Sequence, residues 1–416
     1  MGKTKNTYWA VVKAWVHDRY FQLVNTIAFY PACIALLLLV LAIFMVELDY
    51  SQLGKHIKTN WRFLSLKDAS TARSIISSIT AGIISLSVFS FSMVMIVLNQ
   101  AASQMSNRVL DKLIGNRFQQ IVLGIYIGTI VYAFFLLSTI RDVDSGIYIP
   151  ALSTYLLIFL TITDIFLFIY FLHYITQTVK YEVVIARIYK DTQKSMKARC
   201  CLDKEPVPIP HFQKAGHLLA ARSGIYEGFN EELLLHFCME QDCQVNIVHV
   251  KGTFVLKGAP LAQLSKALEK DWQEKMGNVF SLVPSESIDS NFYYGFRQLT
   301  EIGVKALSPG INDPGTAILS MRALFKLLSL RLLTFPSISL LDESAQERIY
   351  VKELSFDELL KASLLPIWDY GKKDRLIQED MQHLLSQLAH IKSSKWIDHL
   401  LQMVQSEKVE TQTENG

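Results

Sequence analysis

Residues 149–172 read IPALSTYLLIFLTITDIFLFIYFL, an apolar run of 24 residues with one charged side chain, Asp164. An α-helix needs about 20 apolar residues to cross the hydrocarbon core of a bilayer, so this run is long enough to span one. Three uncharged apolar runs precede it, over residues 27–46, 74–98 and 119–140. The four runs together predict a membrane domain of four transmembrane helices.

The apolar residues are concentrated before residue 176. The 416-residue chain is 50% hydrophobic with a mean hydropathy of +0.24, whereas its second half has the composition of a water-soluble protein. We therefore predict a membrane α-helical domain followed by a C-terminal α+β cytosolic domain. The expected divisions are an N-terminal interfacial helix over 1–26, four transmembrane helices over 27–175, a helical stalk over 176–204, the cytosolic domain over 205–403 and a polar tail over 404–416.

The distribution of basic residues predicts the orientation. If both termini are cytoplasmic, the flanks on that side carry 13 Lys and Arg residues and the outer loops carry 6. This bias favours cytoplasmic N- and C-termini. The net charge of +3 is too small to indicate nucleic acid as a partner, so the bilayer is the partner we expect.

The second apolar run contains a line of polar residues at heptad spacing, which we call the polar stripe: Ser78, Ser85, Ser92 and Asn99. Residues seven apart stay on one side of a helix that packs against others. One interpretation is close helix packing, in which each hydroxyl bonds to a carbonyl of its own helix. The other is that copies of this helix line a hydrated path.

Asp164 lies near the middle of the fourth run. A carboxylate at that depth costs about 2.5–3.5 kcal/mol unless it is paired, hydrated or protonated, so intramembrane acids often have a function. A structural alternative is a protonated Asp164 hydrogen-bonded to a neighbouring helix. Asp164 and the polar stripe together form the candidate polar site of the membrane half.

The second half contains one segment that resembles a known motif. Residues 225–230 predict a strand, 231–241 a helix and 245–250 a second strand. Residues 250–261 then predict a β-hairpin with glycines at its turns, similar to the hairpin of biotinyl and lipoyl carrier domains. Since the Met-Lys-Met turn of those carriers is absent, the segment predicts a scaffold.

A turn rich in special residues is the second candidate site: Ser308, Pro309, Gly310, Asn312, Asp313 and Pro314. It separates two predicted helices that would form an αα-hairpin. Asp313 suits the N-cap of the second helix, and Pro314 suits its first position. Capping accounts for these residues structurally, and the alternative is a ligand site in the turn.

Motifs of common enzymes are not found. The chain has no Gly-rich phosphate loop, no Gly-x-Ser-x-Gly and no His-Glu-x-x-His. His236, Cys238, Cys243 and His249 fit no compact zinc spacing. We therefore expect no enzymatic activity, no metal and no cofactor.

Several segments resemble one protein family. They include Phe89-Ser90-Phe91-Ser92, residues 100–108, Val122-Leu123-Gly124, Pro150-Ala151-Leu152-Ser153, residues 168–173 and residues 306–314. In these the chain is similar to the bacterial predicted membrane proteins called domain of unknown function 2254. Asn107 replaces a frequent proline of that family, and Tyr174 replaces a frequent second histidine. The resemblance implies a four-span protein of the bacterial inner membrane with a cytosolic domain, and it implies no activity.

Two functions are consistent with these features of the sequence. The first is a homo-oligomeric channel or transporter-like protein with a cytosolic regulatory domain, because four helices are too few to enclose a wide path. The second is a non-transporting membrane scaffold or sensor, whose cytosolic domain binds a protein partner or a small ligand.

Overall fold

The structure, a computed structural model, describes residues 26, 28–60, 68–104, 117–140, 149–203 and 215–414. Two expectations lie outside these residues: the interfacial helix before Thr26, and the start of the second domain at residue 205. The chain divides into a membrane unit that ends at Val179 and a C-terminal unit that begins at Lys180.

The membrane unit consists of long apolar helices. Its helices are α1 (Phe29–Tyr50), the short α2 (Gln52–Asn60), α3 (Ala69–Gln104), α4 (Arg117–Thr139) and α5 (Ala151–Thr178). Within the described residues, α1, α3, α4 and α5 are long and apolar enough to cross a membrane. The predicted four-span fold is therefore confirmed, although α3 and α5 extend several residues beyond the apolar runs.

Helices α1 and α4 pack closely because two glycines of α4 face α1. A Cβ atom built on Gly128 would lie 2.5 Å from Cδ1 of Leu38, and one on Gly124 would lie 2.8 Å from Cδ1 of Ile34. Glycines four residues apart allow two membrane helices to approach at this distance.

A buried carboxylate joins the end of α1 to the start of α5. Asp49 accepts hydrogen bonds from the backbone N–H groups of Leu152 (3.0 Å) and Ser153 (2.8 Å), and from the Ser153 hydroxyl (2.6 Å). The first N–H groups of a helix have no partner within that helix, so a carboxylate from elsewhere can cap them. The Tyr132 hydroxyl of α4 adds a hydrogen bond to the Ser153 carbonyl.

The C-terminal unit is a mixture of helices and short strands. Its helices are α6 (Tyr181–Arg199), α7 (Glu231–Glu240), α8 (Lys270–Gly277), α9 (Phe292–Ala306), α10 (Pro314–Leu333), α11 (Phe356–Gly371), α12 (Arg375–Ile391) and α13 (Lys395–Glu414). Its strands are β1 (Gly216–Leu219), β2 (Gly224–Phe229), β3 (Val245–Ile247), β4 (Phe254–Val255), β5 (Pro260–Leu264), β6 (Phe280–Val283), β7 (Ser339–Leu341) and β8 (Glu347–Tyr350). The predicted α+β class of this unit is confirmed.

The strands form two sheets, and this arrangement corrects the predicted hairpin. One sheet has the order β1-β5-β3-β8-β7, and the other has the order β4-β2-β6. Strand β4 pairs with β2, whereas β5 pairs with β1 and β3, so residues 250–261 connect two sheets and form no hairpin. The turns at Gly252 and Gly258 adopt positive φ, but the strands that leave them find other partners.

Helix α6 occupies the segment expected to be a stalk, yet it is packed inside the C-terminal unit. Val184, Ile188 and Met196 are buried. Gly295 of α9 lies directly against Thr192 of α6, where there is no room for a Cβ atom. The apolar face of α6 is therefore covered by its own domain.

The last helix, α13, continues through the segment expected to be a polar tail. It runs to Glu414, and Leu400 and Val404 on it are buried. These two residues lie four apart on one face, so packing extends the helix beyond the boundary that composition indicates.

Candidate functional site

Asp164 is completely buried within the membrane unit, with 0% of its surface exposed. Neither of its carboxylate oxygens has a hydrogen-bond partner among the described residues. Thr129 and Tyr126, both on α4, are its polar neighbours. The Thr129 hydroxyl donates to the Ile125 carbonyl of its own helix at 3.0 Å, which leaves the carboxylate unpaired.

The polar surroundings of Asp164 extend to α3. Ser90, which is 3% exposed, is a neighbour of Tyr126, and the hydroxyls of both residues lack hydrogen-bond partners among the described residues. An apolar cavity of about 240 Å³ borders Ser90 and Tyr126. We call Ser90, Tyr126, Thr129 and Asp164 the intramembrane polar cluster. Buried polar atoms without partners are costly, so such a cluster is suited to bind water, a proton or a cation.

The polar stripe does not join this cluster. Ser78, Ser85, Ser92 and Asn99 are all exposed on α3, while Ser90 on the same helix faces inward. Large apolar side chains, among them Val88 and Phe91, surround the stripe on the exposed face. The structure therefore separates the two parts of the predicted membrane site: the stripe faces away from its own subunit, and Asp164 faces into it.

The turn between α9 and α10 is closed by its own polar groups. Asp313 caps α10, because its carboxylate accepts from the Thr316 N–H (3.0 Å) and from the Thr316 hydroxyl (2.6 Å). The Asp313 N–H in turn donates to the Ala306 carbonyl of α9 at 2.8 Å. Ser308 donates to Lys305, Pro314 occupies the start of α10, and Asn312 adopts a positive φ of 50°. Pro309 and Gly310 are exposed between them.

A polar concavity lies in the C-terminal unit, at a place that the sequence did not indicate. It is a cavity of about 780 Å³ between the end of α6, the ends of β2 and β8, and the loop before α9. Its charged lining residues are Arg199, Glu227, Glu231, Lys251, Asp289 and Glu353, and serines 195, 281, 290 and 337 add hydroxyls. We call it the polar cavity.

Two carboxylates of the polar cavity are held by hydrogen bonds. Glu227 accepts from the hydroxyls of Ser290 (2.7 Å) and Ser281 (3.3 Å). Glu353 accepts from the Tyr293 hydroxyl at 2.6 Å. Burial raises the pKa of Glu353, although Tyr293 and nearby cations oppose this change.

The two cations of the polar cavity differ in exposure, since Arg199 is exposed and Lys251 is partly buried. Neither Arg199 nor Lys251 forms a hydrogen bond or an ion pair with a described residue through its side chain. Burial, followed by repulsion from Arg199, lowers the pKa of Lys251 to about 8. The nearby carboxylates of Glu353, Glu231 and Glu227 oppose this change without forming an ion pair with Lys251.

Gly228 makes space for Lys251. It has a φ of +147° and interrupts the register between β2 and β6. A Cβ atom built on it would lie 3.2 Å from Nζ of Lys251. A glycine inside a strand often marks a bulge or a close approach, so Gly228 is the one sequence signal that could have indicated this site. Arg199, Lys251 and Glu353 are too far apart in the chain for spacing to connect them.

Comparisons with known proteins identify relatives without a known activity. The chain is 24% identical over 336 residues to uncharacterized proteins of Mycobacterium tuberculosis (strains CDC 1551 / Oshkosh and H37Rv) and Mycobacterium bovis. Each alignment covers 76% of this chain and 64% of the relative, so the chain spans less than two thirds of the relatives' length. No solved structure matches the chain.

The family assignment rests on a longer match. Residues 24–387, which include every described transmembrane helix and most of the C-terminal unit, match a family described as predicted membrane proteins. The chain therefore belongs to this family, domain of unknown function 2254, as the motifs around Ser90, Gly124 and Asp313 indicated.

Proposed function

We propose that this protein is a homo-oligomeric channel or transporter-like protein of the bacterial inner membrane, with the C-terminal unit as a cytosolic regulatory domain. The intramembrane polar cluster carries this proposal. An unpaired carboxylate at the centre of a helical bundle persists where it is hydrated, protonated or bound to a cation. A cation or a proton is therefore the species that Asp164 favours.

The polar stripe supports association of several subunits. Its side chains face away from the subunit, among apolar residues of α3 that are also exposed. Helix contacts in membranes are enriched in small and hydroxyl-bearing residues, because these allow close approach and hydrogen bonds between helices. A second copy of the chain would cover the stripe, and a ring of copies would place it along a shared path. The proposal involves no catalysis, metal or cofactor.

The test is cation flux into liposomes that contain the purified protein, together with conductance in a planar bilayer. We expect the wild-type protein to pass monovalent cations and Asp164→Asn to lower the flux at least tenfold. Thr163→Val is the matched control, because Thr163 is the neighbouring residue but is exposed and bonds to Phe159 of its own helix. The control variant should keep wild-type flux.

Two results would contradict the proposal. One is a wild-type protein that is inserted and oligomeric but passes no ions. The other is a protein that is strictly monomeric in detergent, because a single subunit cannot form the shared path.

A second function is favoured by the polar cavity. In this alternative the protein is a non-transporting scaffold or sensor, whose C-terminal unit binds a partner or a small ligand. The predicted carrier-like hairpin gives this function no support, since β4 and β5 belong to different sheets. A screen of small ligands for thermal stabilisation of the full chain tests this function independently of flux.

A further inference from the structure

We propose that the polar cavity of the C-terminal unit is a binding site for a small anionic ligand, whose phosphate or carboxylate group is held between Arg199 and Lys251. The inference concerns a different unit of the chain from the flux proposal and does not depend on it. It names a site and a ligand class that family membership does not supply.

The first argument is the imbalance of partners inside the cavity. The half-buried residues Glu227 and Glu353 already accept hydrogen bonds from serine and tyrosine hydroxyls through their carboxylates. Arg199 and Lys251 have no such partner among the described residues, although they border the same space. A partly buried ammonium without a direct ion pair, such as that of Lys251, gains from an added counter-ion, and Arg199, although exposed, borders the same cavity.

The second argument is electrostatic. Arg199 is close enough to Lys251 to favour its neutral form, which means that the two charges repel each other across the cavity. An anion placed between them would replace this repulsion with two attractions. The guanidinium can bind an oxyanion through two N–H groups, and the ammonium adds a single strong donor.

The third argument concerns the acidic residues of the lining. Glu231 and Asp289 are exposed at the rim, and Glu231 is in the first turn of α7, where the helix dipole favours a negative charge. Glu353 uses one oxygen for Tyr293, and its other oxygen accepts no hydrogen bond from the described residues, although Lys251, Arg199 and Arg331 attract the carboxylate. That oxygen can accept a hydrogen bond from a hydroxyl or amine of a ligand whose anionic end lies at Arg199 and Lys251.

The fourth argument is the shape of the site. A cavity of about 780 Å³ is in the size range of pockets that enclose a small metabolite. Arg331 fixes its wall near Glu353, because the buried guanidinium donates to the carbonyls of Thr334 and Leu354, each at 3.0 Å. Gly295 fixes α6 against α9, and α6 carries Arg199 at its end.

The first experiment measures anion binding to the full-length protein in detergent by calorimetric titration with sodium phosphate at constant ionic strength. We expect Arg199→Met and Lys251→Met each to weaken phosphate binding about tenfold or more. The matched controls are Arg375→Met and Lys257→Met, because both side chains are exposed and lie outside the cavity. Equal binding by the wild type and by both cavity variants would overturn the proposal, as would a wild type that binds no phosphate.

A second measurement needs no variant that could fail to fold. Pyridoxal 5′-phosphate carries a phosphate and an aldehyde, and borohydride reduction makes its imine with a lysine permanent, so mass spectrometry can locate it. We expect Lys251 to react at least tenfold faster than Lys257, and the reaction to be slowed by a competing phosphate. If Lys251 reacts no faster than Lys257 and no anion protects it, the cavity is not an anion site.

The competitor identifies the source of the anion. Protection of Lys251 by inorganic phosphate or glycerol 3-phosphate in solution indicates a soluble ligand. Protection only in nanodiscs of phosphatidylglycerol, but not in nanodiscs of phosphatidylcholine, indicates an anionic lipid headgroup. Both results support an anion between Arg199 and Lys251, and the absence of protection in every condition overturns it.

Discussion

The carboxylate of Asp49 caps the helix that begins beside Ser153, although 104 positions separate the two residues in the chain. The contact closes the membrane bundle at the end of α1. It also distinguishes two buried acids of the membrane unit, because Asp49 accepts hydrogen bonds from Leu152 and Ser153, whereas neither oxygen of Asp164 has a hydrogen-bond partner among the described residues.

Loss of the Asp49 carboxylate should destabilise the membrane unit. Asp49→Asn replaces one acceptor oxygen by a donor and removes the charge that faces the start of α5, so we expect a loss of about 1–3 kcal/mol in the free energy of unfolding. A lower midpoint of thermal unfolding in detergent would show it. Glu47→Gln on the exposed side of the same helix is the control and should leave the midpoint unchanged. Equal midpoints for both variants would contradict the capping role.

The glycines of α4 give a second prediction about stability. Gly128→Leu should weaken the contact with α1, because the new side chain overlaps Leu38, and overpacking of this kind costs about 1–3 kcal/mol. Gly82→Leu on α3 is the matched control, since a Cβ atom at Gly82 meets nothing within 4 Å. In a titration with a denaturing detergent, Gly128→Leu should unfold at a lower detergent concentration than Gly82→Leu. A larger loss for Gly82→Leu would be inconsistent with this packing.

Cross-linking can test whether the polar stripe lies between subunits. In a background with Cys33→Ala and Cys201→Ala, which removes the exposed thiols of the described residues, Ser92→Cys should form an intermolecular disulfide on oxidation in membranes. Ser90→Cys should not, because Ser90 is 3% exposed and faces its own bundle. Gel electrophoresis without reductant detects the disulfide-linked dimer. If cysteines at 78, 85 and 92 all fail to cross-link, the stripe does not face another copy.

Anion binding should depend on pH through Lys251. The lowered pKa of about 8 means that the ammonium is mostly charged at pH 7 and mostly neutral at pH 9, so the affinity for an anion should fall as the pH rises through this interval. Sulfate is the probe, because its charge is constant over the range. Lys251→Arg keeps its charge and should bind sulfate equally at both pH values. A wild type with the same sulfate affinity at pH 7 and pH 9 would exclude a role for the Lys251 charge.

The membrane half could be read from the sequence because its determinants are local. An uninterrupted apolar run predicts a transmembrane helix without knowledge of its neighbours. The N-cap at Asp313 depends on residues only three positions apart, so it too was predicted and confirmed. The side of the helix on which a polar residue lies depends on packing. From the sequence, Asp164 and the polar stripe were expected to form one site, whereas the structure buries Asp164 and exposes the stripe.

The C-terminal unit was harder to predict because its contacts are distant in the chain. The glycines at 252 and 258 indicated turns correctly, but strand partners depend on tertiary packing, and β4 and β5 pair with different sheets. The polar cavity draws Arg199, Lys251 and Glu353 from three separate segments. No periodicity or spacing connects such residues, and only Gly228, a glycine within a strand, signals the site locally.

The position of β8 has a consequence for how the protein is made. This strand lies between β3 and β7, and its parallel pairing joins Val245 to Ile349. Until the ribosome has released residue 350, β3 has an unpaired edge, and an unpaired edge can bind another chain. The membrane helices, by contrast, are complete in the chain by Thr178. Biosynthesis thus passes through an interval in which the anchored half is finished while the other half exposes an open sheet, and premature termination within that interval would leave an aggregation-prone product at the membrane.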